Sequence, residues 1–300
     1  MTNALSRSYP SEPTLGNRVF DLLDITFPGI REARANGEAF GARWEDASTP
    51  FIVESAGNVI AHVGLLSIPL HVVGTDVACG GIHGVATHPA HRHRGHFRDA
   101  LERAMAFAST RFETLMLTTL HCEYFEPFGF TVVPESIFRY RPNVRPASVP
   151  SRALDLRRRV DLELMHRLLA ERSPVSDVLG VGPEKASWAF YEYRSAIRYI
   201  SGADVAVSAD LTNGTLRLYD VVGATIPSID TIAAAFEAPV AEVVSYLPPD
   251  RLGDVFAAEP HDLRGGVDAL EPGAPDLVFM VRGPFAAEGR ALMLPRPARC

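Results

Sequence analysis

Residues 85–95 read Val85-Ala86-Thr87-His88-Pro89-Ala90-His91-Arg92-His93-Arg94-Gly95. A β-rich run stops at the proline, and apolar residues recur at helical spacing from His96 to Thr110. A strand followed by a glycine loop that opens a helix presents free backbone N–H groups and the positive end of the helix dipole. Arginine side chains in such a loop add donors for phosphate oxygens. The stretch therefore predicts a phosphate-binding loop between a strand and a helix.

The flanking sequence predicts a sheet around this loop. Three β-rich runs precede it, Phe51–Val53, Val59–Val73 and Val77–Thr87, and short turn sequences separate them. An antiparallel meander is the simplest arrangement. Thr114–Leu120 is short and apolar, as expected of a buried strand parallel to its predecessor.

A second unit is predicted behind the first. Pro142–Pro150 contains three prolines and no hydrophobic period, which is typical of a linker, so we expect an N-terminal domain over 1–145 and a second over 146–300. Helical and strand patterns again alternate after the linker, with an Asn213-Gly214 turn between two strands. The predicted fold class is α/β, with two mixed sheets flanked by helices.

The loop also resembles the acetyltransferase pattern of the GCN5-related N-acetyltransferase (GNAT) superfamily, a strand ending V-x-P followed by R/Q-x-x-G-x-G/A. A second stretch also resembles the family. After the strand of residues 115–120, Phe125-Glu126-Pro127-Phe128-Gly129-Phe130 is similar to the usual Y-E-K-L-G-F. The resemblance implies acetyl-coenzyme A as cosubstrate. It also implies that backbone groups of the strand end hold the pantetheine arm and the acyl carbonyl, and that the loop holds the pyrophosphate. The implied binding residues are Val85, Ala86, Thr87, Arg92, His93, Arg94, Gly95, His96, Phe97 and Arg98.

With two units, the chain resembles a shortened member of the enhanced-intracellular-survival (Eis) type of acetyltransferase. That group usually adds a third, sterol-carrier-like domain. In it the carboxyl terminus of the chain can enter the active site as a base. We expect this sequence to stop too early for that, and assign no role to Cys300.

Two residues depart from the family pattern. Phe97 stands where a second Gly or Ala is usual, and Phe125 stands where a tyrosine commonly protonates the departing thiolate. Phenylalanine cannot donate a proton. The adjacent Tyr124 is the candidate replacement, although neighbours on a helical turn point about 100° apart.

Candidate bases come from histidines and carboxylates. By alternation His83 is expected on the same strand face as Val85 and Thr87, and His121 lies at the end of the following strand. Glu54 and Glu123 could also take the proton of the amine, and the sequence does not choose between them.

Composition limits the partners and argues against a metal. The net charge of -7 lacks the basic excess that a nucleic-acid or anionic-membrane surface requires. Three cysteines without CxxC spacing, and no long apolar segment, favour a cytoplasmic protein. His91, His93 and His96 have no supporting carboxylate or thiol for metal binding. A homo-oligomer stays open.

The predicted reaction is transfer of an acetyl group from acetyl-coenzyme A to a primary amine of a small molecule or peptide. The predicted catalytic residues are Tyr124, His121 and His83. The alternative, based on Phe125, is an acyl-coenzyme A binding module that has lost catalysis and serves as a sensor or scaffold.

Overall fold

The structure is a computed structural model that describes residues 7–146, 151–193, 195–253, 256–261, 270 and 277–300. Its helices are α1 (Leu15–Thr26), α2 (Ile30–Ala39), α3 (Trp44–Ala47), α4 (His96–Ala108), α5 (Arg159–Ala170), α6 (Ala186–Glu192) and α7 (Ile229–Ala234). Its strands are β1 (Thr49–Ser55), β2 (Asn58–Val72), β3 (Thr75–Thr87), β4 (Leu115–Thr119), β5 (Thr131–Val132), β6 (Ser136–Tyr140), β7 (Arg152–Ala153), β8 (Leu179–Val181), β9 (Ile197–Ile200), β10 (Val205–Thr212), β11 (Thr215–Val222), β12 (Glu242–Ser245), β13 (Ala257–Pro260) and β14 (Val278–Arg282).

The first sheet has the strand order β1-β2-β3-β4-β14-β5, and β8 pairs with the far end of β2. Strands β1, β2 and β3 form the predicted antiparallel meander, and β4 is parallel to β3 as predicted. Both meander turns have positive φ at their two central residues, Ala56-Gly57 and Val73-Gly74. That geometry matches the twist of paired strands and joins them with two residues.

The second sheet has the order β13-β6-β12-β11-β10-β9-β7 and repeats the topology of the first. Strands β9, β10 and β11 are antiparallel, and β12 is parallel to β11. The predicted Asn213-Gly214 turn joins β10 to β11, with φ of 52° and 80°. The α/β class with two mixed sheets is therefore confirmed.

Strands are exchanged between the two sheets: the first contains β8 and β14 from the C-terminal part of the chain, and the second contains β6 from the N-terminal part. Strand β14, from the C-terminal part of the chain, lies between β4 and β5 of the first sheet. Strand β6, from the N-terminal part, lies between β12 and β13 of the second. Each sheet thus contains strands from both sides of the predicted boundary at residues 145 and 146. The domain boundary at residues 145 and 146 stays a prediction, and the two predicted units are joined by exchanged strands.

Helices cover both faces of the first sheet. The apolar side chains predicted for α4, which include Leu101, Ala104 and Ala108, pack against Val63 and Ile82 on one face. Helix α1 covers the other face, where Leu15, Val19 and Leu23 contact Ile52 and Ala86. This amphipathic packing fixes the amino end of α4 beside the end of β3.

The predicted linker contains no helix or strand over residues 142–146, and its last residues, 147–150, lie outside the described residues. Across the described ranges, no helix has both the length and the apolar character needed to cross a membrane.

Candidate functional site

Strands β3 and β4 separate soon after they meet. Over the described residues they pair only at Gly80 with Leu115 and at Gly81 with Met116, although β3 continues to Thr87. Parallel strands that diverge leave backbone N–H and C=O groups on their facing edges available to a ligand. The first sheet therefore has an opening between these two strands, on the segment that the sequence analysis singled out.

A bulge changes which face each residue of β3 occupies. His83 pairs with Gly64 and Ala86 pairs with His62, so Gly84 and Val85 together oppose one residue of β2. Gly84 takes a positive φ of 56°, which glycine adopts without strain. The simple alternation is interrupted at this point.

His83 therefore does not share a face with Val85 and Thr87, and that expectation is wrong. The His83 ring is 4% exposed, meets the Trp44 ring at 4.5 Å between centroids and bonds Ser48 Oγ through Nε2 at 2.9 Å. Burial, and to a smaller extent His62, hold the pKa of His83 well below its usual range. The His83 side chain therefore has no direct access to the α4 side of the opening, where its predicted catalytic role would require it.

The end of β3 turns backbone groups toward the opening. The His88 N–H donates to the carbonyl of Ile60 on β2 at 2.8 Å. Because successive residues of a strand direct their backbone groups to opposite edges, those of Thr87 face away from β2. The Thr87 carbonyl accepts a bond from Arg92 Nε at 3.2 Å. Val85 packs on the α4 side of the sheet, and Ala86 packs against α1.

The basic loop leads directly into α4. His93 and Gly95 have positive φ of 60° and 82°, which folds the main chain tightly before the helix. The N–H of Asp99 is the first to bond within the helix, to the Gly95 carbonyl at 3.0 Å. The N–H groups of residues 96–98 therefore belong to the free amino end of a 13-residue helix.

Charge around this helix end is positive. The side chains of Arg92, Arg94 and Arg98 are exposed, whereas His96 and Phe97 are half-buried. The rings of His88 and His91 lie 5.6 Å apart, and burial together with the nearby Arg94 charge lowers the pKa of His91. In the described part of the chain, no group of three His, Cys, Asp or Glu residues could hold a metal ion. The loop thus has the donors and the charge that a pyrophosphate requires.

Phe97 and Phe125, the two departures from the family pattern, contact each other. Their rings meet edge-on with centroids 5.7 Å apart, and Phe97 also packs on Phe128. Phe125 is 5% exposed and contacts Phe130 as well. Phe97 is therefore directed toward the turn of residues 122–130.

Tyr124 and His121 lie together at the end of β4. Their rings stack with centroids 5.1 Å apart, and Tyr124 is 55% exposed. His121 Nδ1 lies 3.2 Å from Glu123 Oε1, so this carboxylate orients the imidazole. The structure thus brings together two of the three predicted catalytic side chains, with one of the two candidate carboxylates.

Glu54, the other candidate carboxylate, is already paired. It bonds the guanidinium groups of Arg7 and Arg18. Burial opposes these contacts, but the two arginines lower the pKa of Glu54 overall. A carboxylate stabilised in this way is a poor proton acceptor.

Cys300 occupies a place that the sequence analysis did not foresee. Its carbonyl oxygen accepts bonds from the Thr118 N–H at 2.9 Å and the Thr118 hydroxyl at 2.8 Å. Residue 300 therefore does reach β4, and the expectation that the sequence stops too early is wrong. The apolar run Leu292-Met293-Leu294 is the sequence signal that the last segment is packed, and all three residues are fully buried.

Comparison with known proteins agrees with this geometry. Residues 13–133 match the family model described as an acetyltransferase (GNAT) domain. No curated protein matches the chain. Solved structures with a similar fold include Eis1 from Mycobacterium abscessus, at 13% identity and a TM-score of 0.56 over 91% of this chain and 71% of that one. A GCN5-related N-acetyltransferase from Kribbella flavida is similar at 16% identity and a TM-score of 0.55, over 93% of this chain and 70% of that one.

Proposed function

We propose that this chain, whose residues 13–133 match the GNAT acetyltransferase domain model, transfers an acetyl group from acetyl-coenzyme A to a primary amine of a small molecule or peptide. The observation that carries the proposal is the opening between β3 and β4, which lies beside the free amino end of α4. The facing edges of β3 and β4 offer backbone groups to an extended arm, and the amino end of α4 offers N–H groups to phosphates. A pantetheine arm that ends in a pyrophosphate has both parts.

The chain's own groups divide the binding task. Arg92, Arg94 and the helix N–H groups neutralise the pyrophosphate, and Gly95 lets the main chain approach it. Backbone groups of Val85 and Thr87 orient the thioester and stabilise charge on its oxygen as the amine attacks. His93 in the loop, and His96, Phe97 and Arg98 on the first turn of α4, shape the same site. Such groups accelerate the step because they bind the developing charge more tightly than the ground state.

His121 takes the proton of the attacking amine, and Tyr124 donates one to the leaving sulfur. Glu123 holds one nitrogen of His121, which leaves the other free to accept. Tyr124 is the hydroxyl that the exposed end of β4 offers, because the neighbouring Phe125 is buried and has no proton to give.

Calorimetric titration with acetyl-coenzyme A, followed by thiol release across a panel of primary amines, tests the proposal. We expect binding to the unaltered chain and turnover with at least one amine. Tyr124→Phe and His121→Gln should each lower turnover by about 10²–10⁴-fold while acetyl-coenzyme A still binds. Tyr199→Phe, a matched change on the second sheet, should leave turnover unchanged.

The alternative is a binding module without catalysis, and the burial of Phe125 favours it because the usual acid is missing. Binding without thiol release for any amine would select the module. A chain that does not bind acetyl-coenzyme A would contradict both functions.

A further inference from the structure

Cys300 lies at the inner end of the opening, where β3 and β4 begin to separate. The last paired residue of β4 is Met116, and the next inward-facing N–H, that of Thr118, bonds Cys300 instead of β3. The Cys300 thiol lies 3.8 Å from the Met116 carbonyl. Cys300 thus takes the place that β3 would hold if the two strands remained paired.

The fit on the β3 side is equally close. A methyl group added at Gly81 would lie 3.0 Å from Cys300 Sγ and 2.6 Å from Ile68 Cδ1. A larger residue at position 81 would therefore have to displace Cys300 and the end of the Ile68 side chain by a small distance. The two strands and the last residue fill the inner end together.

Two buried ion pairs hold the segment that carries Cys300. Arg299 bonds Glu135, and both side chains are at most 5% exposed. Arg296 forms two bonds of 2.6 Å to Glu192, which is fully buried. Moving Cys300 would disturb these pairs, so the residue is a fixed part of the wall.

We propose that Cys300 limits the depth of the opening and so restricts the transferred group to a short acyl chain such as acetyl. This inference rests on the proposed function, because it places the thioester between β3 and β4. A longer acyl chain would have to displace the Cys300 carbonyl from Thr118. That displacement would leave the N–H and hydroxyl of the half-buried Thr118 without their acceptor, which costs free energy.

The test compares the Kd of butyryl-coenzyme A with that of acetyl-coenzyme A by calorimetry, with free coenzyme A as a reference. Because binding is measured, loss of a catalytic group does not affect the result. For the unaltered chain we expect butyryl-coenzyme A to bind at least about 10-fold more weakly than acetyl-coenzyme A. Deletion of Cys300 should bring the ratio of the two Kd values, butyryl-coenzyme A over acetyl-coenzyme A, close to one. It should leave the Kd of free coenzyme A unchanged.

Two further variants control for disturbed folding. Cys300→Gly keeps the backbone and removes only the side chain over Gly81, and it should lower the ratio in the same direction. Ala298→Gly alters the same segment at a fully buried position outside the opening, and it should keep the ratio of the unaltered chain.

Each outcome decides a separate point. A ratio near one in the unaltered chain, or an unchanged ratio in both Cys300 variants, overturns the acyl-length limit while coenzyme A binding still supports the proposed function. If Ala298→Gly lowers the Kd ratio as much as the Cys300 variants do, the acyl-length limit is also overturned, since the effect would then come from a general loosening of the last segment. No binding of coenzyme A to the unaltered chain overturns the proposed function itself.

Discussion

The ring of Phe97, on the first turn of α4, lies edge-on to the ring of Phe125, with the two centroids 5.7 Å apart. The family pattern has a small residue at the first position and a tyrosine at the second. The large ring at Phe97 fills the space beside the turn of residues 122–130, and Phe125 packs against it in the core. The two departures from the family pattern are therefore in direct contact, and the ring that lacks the hydroxyl is part of the core.

Phe125→Tyr should not restore a proton donor. The ring is 5% exposed among aromatic neighbours, so an added hydroxyl lacks a partner. We expect the free energy of unfolding to fall by about 1–3 kcal/mol, with no gain in thiol release. Urea unfolding and the turnover assay measure both. Phe107→Tyr, on a half-buried ring of α4, is the control and should cost less. A rise in turnover would show that the hydroxyl reaches the opening.

The buried pair of Glu135 and Arg299 should contribute much more to stability than a surface pair. Glu135→Gln leaves the Arg299 charge buried without its counter-charge, which costs about 3–5 kcal/mol. The matched change Glu259→Gln affects a 50% exposed partner of Arg139 and should cost about 0–1 kcal/mol. Urea titrations of both variants provide the comparison. Equal losses would contradict the assignment of Arg299 as the anchor of the last segment.

Acid should weaken the fold through His62. Burial lowers the pKa of this fully buried side chain from 6.5 to about 4, against a hydrogen bond to Gly84 that raises it. As the pH falls below 6.5, the pKa of this histidine in the unfolded chain, the unfolded chain binds a proton that the folded chain does not bind. The contribution of His62 to the free energy of unfolding is therefore fully present above pH 6.5 and is lost as the pH falls. Between pH 8 and pH 5 this one group should lower the free energy of unfolding by about 2 kcal/mol.

His62→Gln tests the pH dependence because glutamine does not titrate. Unfolding free energies at pH 8 and pH 5 should differ less in the variant than in the unaltered chain. Identical differences in the two proteins would assign the acid sensitivity to other groups, among them the equally buried His83.

The packing of the His83 ring should depend on glycine at position 64. A methyl group added there would lie 2.2 Å from His83 Cε1, so Gly64→Ala must displace the ring and should cost about 1–3 kcal/mol. Gly202→Ala meets nothing within 4 Å and should change stability by less than about 0.5 kcal/mol. The double variant Gly64→Ala/His83→Ala should lose less than the sum of its single changes, because the second change removes the clash. Additive losses would contradict this contact.

Local patterns predicted most elements of the first sheet. The meander, the parallel strand β4 and helix α4 follow from short-range periodicity and turn residues, and all are confirmed. The face of His83 was predicted wrongly because alternation assumes an unbroken period of two, and the bulge at Gly84 adds one residue. A bulge of this kind carries only a weak signal in a single sequence, since glycine in a strand has several explanations.

The sequence by itself determined the strand, loop and helix of residues 75–108, because the hydrophobic period, the glycine and the arginines that define them are neighbours in the chain. Only the tertiary structure decided that β6 and β14 exchange sheets and that Cys300 meets Thr118. Short apolar strands carry the same local pattern in either sheet, and their partners are fixed by side-chain packing between residues far apart in sequence. The pairing of Arg299 with Glu135 belongs to the same class of contacts, and it places the last residue of the sequence in the opening that the loop first indicated.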